Sequence, residues 1–188
     1  YRVRTLSVRD GGWKETPLGG FDAIYYTAAL VHQEQAKNDP SQAERYDEIN
    51  AVLPVAVAQK AKAEGVRQFV FLSTMAVYGL TAPYGKTVTI TAQTPLSPTD
   101  YYGQSKAKAE RELLALEDDR FRVAILRPPM IYGKGCKGNY QALRAFAQKM
   151  PCFPKIGNGR SMLYVGNLNR LVQLLLDSGE GGIFCPQD

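Results

Sequence analysis

Tyr102 and Lys106 stand four residues apart in the segment SPTDYYGQSKAKAERELLAL, residues 97–116. On a helix that spacing puts both side chains on one face. The pattern also fits an ordinary amphipathic helix, but an ammonium beside a phenol can do chemistry. A free phenol titrates near 10. A cation at about 4 Å in an effective dielectric of about 20 supplies about 4 kcal/mol, which corresponds to roughly three pKa units. The expected result is a phenol brought near neutrality, where general acid–base catalysis works best. A second set of hydroxyls, Ser73 and Thr74, closes the apolar run RQFVFLS. Hydroxyls there often serve only as turn residues, yet the carboxyl end of a parallel strand is also where ligands of such sheets bind.

A third feature is GKGCKG, residues 133–138, which spells Gly-x-Gly-x-x-Gly. As a dinucleotide loop it is misplaced. Arg127 to Tyr132 separate it from the apolar run before it, and no carboxylate follows at 153–159 to hold a ribose. Its glycines, Lys134, Lys137 and a helix start still suit a diphosphate. The same lysines flank Cys136 and would favour a thiolate, but the one histidine, His32, is remote in sequence and more in keeping with a loop residue than a catalyst.

The elements that must position these residues alternate along the chain. Apolar β-type runs lie at 3–8, 22–27, 67–73, 122–126 and 182–185, with helix-period segments at 42–64, 99–117, 138–149 and 167–178. Pro54 should kink or split the 42–64 helix, and Ser97 with Pro98 should cap and open the 99–117 helix. Unbroken apolar strands between helices predict an α/β, doubly wound parallel sheet, Rossmann-like, covered on both faces.

With 188 residues and 45% hydrophobic content, the chain can bury a real core. A formal charge of +5 without a basic block suits an anionic small ligand and gives no sign of nucleic acid. No run approaches the ~20 apolar residues of a membrane span. Three cysteines without metal-ligand spacing fit a reduced, cytoplasmic setting with no metal site.

TAALVH (27–32), YDEIN (46–50), GVRQFVFLSTMAVYG (65–79), SPTDYYGQSK (97–106) and LRPPMIYG (126–133), in this order, resemble the extended short-chain dehydrogenase/reductases, above all the nucleotide-sugar epimerase/dehydratase branch. The resemblance implies that Tyr102 is the acid/base. Lys106 tunes it and binds the nicotinamide ribose, and Thr74, four before Tyr78, bonds the reacting sugar oxygen. It places Thr27, Ala28, Ala29, Asn50 and Pro128 beside the cofactor. Asn139 and Arg160 would clasp the substrate's diphosphate. The cofactor is then NAD or NADP. Where NAD-preferring relatives carry an acidic residue, the end of VRTLSVRD offers Ser7 and then Arg9, which could pair with a 2′-phosphate, and this favours NADP. Met75 and Ala76 stand where dehydratases of the family carry carboxyl groups, which leaves epimerisation or ketone reduction at a sugar ring carbon. A UDP-N-acetylhexosamine derivative for surface polysaccharide is the implied substrate. A homodimer is the implied assembly.

The family's glycine-rich loop after its first strand does not appear in this chain. Both ends therefore read as cut, with residues 1–135 a partial dinucleotide-binding domain. Residues 136–188 read as the start of a substrate-binding region that returns to the sheet. The alternative is a non-catalytic dinucleotide-binding scaffold, against which the retained Tyr102 and Lys106 count.

Overall fold

The computed structural model describes residues 1–31, 39–83, 86–136, 139–152 and 159–188, with Asn139 described in its backbone alone. Six strands form among them: β1 (Ala23–Tyr26), β2 (Gln68–Leu72), β3 (Arg122–Leu126), β4 (Met130–Tyr132), β5 (Met162–Tyr164) and β6 (Gly182–Phe184). Four of these make the main sheet, in the order β1-β2-β3-β6, and every neighbour is parallel. Tyr26 pairs with Phe71, and Leu72 with Leu126, so the first three strands end nearly together. Thr27, Ser73 and Arg127 therefore leave the sheet along one edge.

Parallel strands need crossovers, and helices supply them. These are α1 (Ala43–Asp47), α2 (Leu53–Ala63), α3 (Tyr101–Leu114), α4 (Asn139–Lys149) and α5 (Val165–Ser178). Alternate strand residues face opposite sides of the sheet. Phe69, Phe71, Val123 and Ile125 meet Val55, Ala58 and Ala61 of α2 and Ala109 and Leu113 of α3. On the other face Val70, Ala124 and Leu126 meet Leu168, Val172 and Leu175 of α5. The predicted α/β sheet covered on both faces is thus observed, and the stripe read in 167–178 is the face that α5 buries.

Several boundaries differ from expectation. Residues 3–8 form no strand. None of the six strands pairs with them, so their backbone groups stay with solvent, and Leu6 and Val8 alone settle against the core. The 42–64 segment divides, as Pro54 suggested: α1 gives way to a π-helix, Glu48–Val52, and α2 begins at Leu53 with Pro54 in its first turn, where it has no N–H to donate to the turn before it. Ser97 does not cap α3. Its N–H is taken by the Val77 carbonyl at 3.1 Å, and the cap is Asp100, whose Oδ1 accepts from the Gly103 N–H at 2.8 Å. The helix thus starts at Tyr101. A Cβ on Gly103 would lie 2.8 Å from the Ala76 carbonyl oxygen, so glycine there lets α3 press against the turn after β2. The sequence also hid a second, two-stranded parallel sheet of β4 and β5. Both strands are only three residues long, too short to show a period.

Candidate active site

The buried run QFVFL ends β2 at the sheet edge, and a turn of 3-10 helix, Met75–Tyr78, follows it. Thr74 caps that turn. Its Oγ1 accepts from the Ala76 N–H at 3.1 Å, and the Met75 N–H donates to the carbonyl of Pro128 at 3.1 Å. The ends of β2 and β3 are thereby stitched together just where Thr74 and Pro128 emerge. Pro128 is buried.

Tyr102 and Lys106 lie one turn apart on the inner face of α3, 9% and 1% exposed. The Lys106 ammonium donates to the Leu72 carbonyl at 2.8 Å and sits 4.2 Å from the centre of the Phe71 ring. It is thus fixed to the last residue of β2, two before Thr74. Thr74 hydrogen-bonds the Tyr102 phenol. The structure therefore brings Thr74, Tyr102 and Lys106 to one place.

The electrostatics of the phenol contradict expectation. Burial raises Tyr102 to about 12; the Thr74 hydrogen bond opposes the rise, and the charges of Asp100 and Tyr46 add to it. Desolvation of the buried phenol outweighs the Thr74 hydrogen bond, while the Lys106 ammonium donates to the Leu72 carbonyl. Lys106 moves the opposite way. Burial lowers it from 10.5 to about 7, against the pull of Glu110.

This shift has a consequence for stability. Between about pH 7 and 10.5 the unfolded chain holds more protons at Lys106 than the folded one. Stability from this group must then rise with pH across the window, and its penalty is complete below about pH 7. Thermal melts should show the wild-type chain gaining on Lys106→Met between pH 7 and 9. Parallel pH profiles for the two chains would contradict it.

Asn50 lies in the π-helix and is fully buried. Its Oδ1 accepts from the Leu30 N–H at 2.8 Å, and its Nδ2 donates to the Leu30 carbonyl at 3.0 Å and to Ser105 Oγ at 3.2 Å. One side chain thus ties the loop after β1 to α3. Thr27, exposed, and Ala28 and Ala29, half-buried, precede that clamp at the sheet edge. Asn50 therefore acts on the loop and not outward.

Among the described residues, no side-chain hydrogen bond joins Arg9 or Arg160 to this cluster. Arg9 is exposed on the segment that forms no strand, its N–H donating to Ser7 Oγ at 3.3 Å. Asn139 opens α4, with its side chain outside the described residues. Arg160 is exposed, two residues before β5. His32 lies outside the described residues. The Gly-x-Gly-x-x-Gly run follows β4, a strand of the small sheet, and Gly133 and Gly135 adopt positive φ there. Among the described residues no group of His, Cys, Asp and Glu could hold a metal ion, and no helix is long and apolar enough to cross a membrane.

Sequence reading missed a buried ion pair. Glu110, one turn beyond Lys106 on the same stripe of α3, is paired with Arg127, the first residue after β3. Arg127 Nε lies 3.1 Å from both carboxylate oxygens and Nη2 lies 2.6 Å from Oε2. Nη1 donates to the Tyr78 hydroxyl at 2.7 Å, and Ser73 Oγ donates to Glu110 Oε1. The spacing of four from Tyr102 to Lys106 to Glu110 was the available signal.

Comparison with known proteins agrees with this geometry. A UDP-glucose 4-epimerase of Vibrio cholerae is 31% identical over 167 residues, covering 87% of this chain and 50% of the relative. An N-acetyl-alpha-D-glucosaminyl-diphospho-ditrans,octacis-undecaprenol 4-epimerase of Escherichia coli O157:H7 is 30% identical over 182 residues, 93% of this chain and 51% of the relative. Among solved structures, DesIV of Streptomyces venezuelae, a dTDP-glucose 4,6-dehydratase with NAD and TYD bound, superposes with a TM-score of 0.72 at 26% identity, over 94% of this chain and 55% of that one. The chain spans about half the length of the curated relatives it matches. Residues 4–181 match the model of one family, and the chain belongs to it: the NAD dependent epimerase/dehydratase family.

Proposed function

We propose that this chain carries the catalytic half of a nucleotide-sugar 4-epimerase or 4-ketoreductase. The observation that supports the reading best is the joining of Thr74, Tyr102 and Lys106 at the carboxyl edge of the sheet. In this reading Thr74 and Tyr102 grip the oxygen on the reacting ring carbon, and Tyr102 gives or takes its proton. Burial keeps the Tyr102 phenol protonated at neutral pH, so in the reducing direction it is ready as a donor. A bound nicotinamide would supply the hydride acceptor and donor.

The residues suit the nicotinamide end of such a cofactor. Ala28 and Ala29 are small enough for close approach, Lys106 and Tyr102 offer polar groups, and Pro128 walls the same edge. The hydroxyl of Tyr26, at the end of β1, is buried with no hydrogen-bond partner among the described residues, the kind of donor that a ligand or water satisfies. Arg9 favours NADP over NAD. Asn139 and Arg160 are assigned to the substrate diphosphate, in a substrate-binding region that begins near residue 136. The protein is expected to be cytoplasmic and homodimeric. Both curated relatives carry names of 4-epimerases of diphosphate-linked sugars, which supports a UDP-N-acetylhexosamine and keeps a lipid-diphosphate sugar as the second arm of the test.

The test supplies the full-length protein with NAD or NADP and either UDP-N-acetylglucosamine or undecaprenyl-diphosphate N-acetylglucosamine. The expected product is the C4 epimer without net cofactor use. Stoichiometric oxidation of NADPH on a 4-keto-sugar would assign the reductase instead. Tight cofactor binding with no turnover of any diphosphate-linked sugar overturns the catalytic reading.

A further inference from the structure

Lys106 is only 1% exposed, and carboxylates on the surrounding helices are engaged elsewhere: Glu110 with Arg127 at 2.6 Å, Asp47 with Lys108 at 2.7 Å. A buried ammonium is costly unless something in direct contact favours its charge. What Lys106 touches comes from two consecutive residues of β2. The Leu72 carbonyl accepts from its Nζ at 2.8 Å, and the centre of the Phe71 ring lies 4.2 Å from the same nitrogen.

Phe71 is fully buried, on the sheet face that α2 and α3 cover. As core filling, any large apolar side chain would serve there. The contact with Lys106 goes further, because the charged nitrogen itself stands over the ring, well inside the ~6 Å reach of a cation–π interaction. Lys62 gives the contrast. Its nitrogen is 5.9 Å from the Phe121 ring, its side chain is 34% exposed, and Asp118 and the Leu116 carbonyl hold it. Water and a carboxylate leave the Phe121 ring little to add. At Lys106 water is excluded, which puts the pull of the electron-rich ring face at the strong end of its range. The ring is also held in place: Tyr26 of β1 packs against it at 6.1 Å.

We propose that Phe71 is a positioning residue of this site: the face of its ring carries the Lys106 ammonium, holds it charged and, with the neighbouring Leu72 carbonyl, fixes the nitrogen at the end of β2. The proposal rests on the reading of Lys106 as part of the proton-transfer site. Phe71 acts there through Lys106 alone. Burial draws Lys106 down to about 7, so a modest attraction from the ring decides how much of it is charged at neutral pH.

The test replaces Phe71 alone, in the full-length protein, with mono-, di- and trifluorinated phenylalanine. Fluorine withdraws electron density from the ring face and keeps the ring in the core. The Lys106 Cε signal is followed by 13C NMR as pH is varied, assigned with Lys106→Met. The titratable and charged groups on the elements around it are Tyr102 and Glu110 of α3, Asp100 at its cap, Tyr46 of α1, Tyr26 of β1, and Tyr78 and Arg127 beyond Glu110. The series alters none of them, and burial keeps the Tyr26 and Tyr102 phenols uncharged across the window. The midpoint should fall with each added fluorine, by about one unit in all. Melting temperatures should fall in the same order below the midpoint, where Lys106 is charged, and stay level above it, where the folded chain holds it neutral. A midpoint that stays constant or rises across the series would make Phe71 core filling alone and overturn the proposal. No turnover is read in this experiment, so it stands or fails apart from the proposed reaction.

Discussion

Replacing Tyr102 with Phe should lower turnover of the full-length protein by about 10²–10⁴-fold, the range that a positioned acid/base contributes, and leave the fold in place. The ring itself is held by packing on the inner face of α3, and Phe keeps that ring. What disappears is one oxygen, and with it the hydrogen bond to Thr74. The Thr74 hydroxyl still caps the turn at 75–78 through the Ala76 N–H, so the cost in stability stays near that of a single hydrogen bond, about 1 kcal/mol. Cofactor affinity should change little, because Lys106 keeps its bond to Leu72. The pH profile sharpens the expectation. With burial holding the phenol at about 12, the reducing direction finds its proton donor in place at pH 7. The oxidising direction needs the phenolate, so its rate should climb with pH in the wild type and show no such climb in Tyr102→Phe. Steady-state rates in both directions check this, and a variant within tenfold of wild type would remove Tyr102 from the chemistry.

Those electrostatics were the part that the sequence could not show. The spacing of Tyr102 and Lys106 correctly put both on one helix face, and the alternation of apolar runs with helical ones correctly predicted a parallel sheet with helices on both sides. Such features depend on neighbours along the chain. How deeply Tyr102 is buried, and which carbonyl Lys106 meets, depend on where β2 ends relative to α3, which is a tertiary fact. A four-residue spacing gives neither. Residues 3–8 show the same limit. Their composition is that of a strand, but strand formation requires a paired neighbour, and none of the six strands provides one. Asp100 was overlooked as the cap because Ser97 and Pro98 made an equally good local signal. The choice was made by Val77, whose carbonyl holds Ser97 outside the helix.

Glu110 and Arg127 are a charged pair that nothing in the sequence marks as buried. Their burial leads to the largest stability effect expected for a single substitution. Arg127→Met should destabilise the chain by about 3–5 kcal/mol, the cost of leaving one partner of a buried pair uncompensated. The side chains of Arg127 and Glu110 are 8% and 2% exposed, so water cannot replace the lost guanidinium. The substitution also removes the donor to the Tyr78 hydroxyl and the cation over its ring, 5.1 Å away. Arg127→Lys should recover part of the loss. An ammonium restores charge but cannot donate to both carboxylate oxygens and to Tyr78 from one rigid plane. The exposed pair Arg67–Asp22 is the control, because its side chains are 74% and 83% exposed and solvent screens them. Urea denaturation of Arg127→Met, Arg127→Lys and Arg67→Met should therefore rank the losses in that order, with Arg67→Met close to wild type. A loss for Arg127→Met no larger than for Arg67→Met would mean that the carboxylate finds another partner once the arginine is gone. Lys106, one turn before Glu110 on α3, is the cation placed to provide one, and a shift of Thr74 and Tyr102 out of register would then appear in turnover before it appeared in stability.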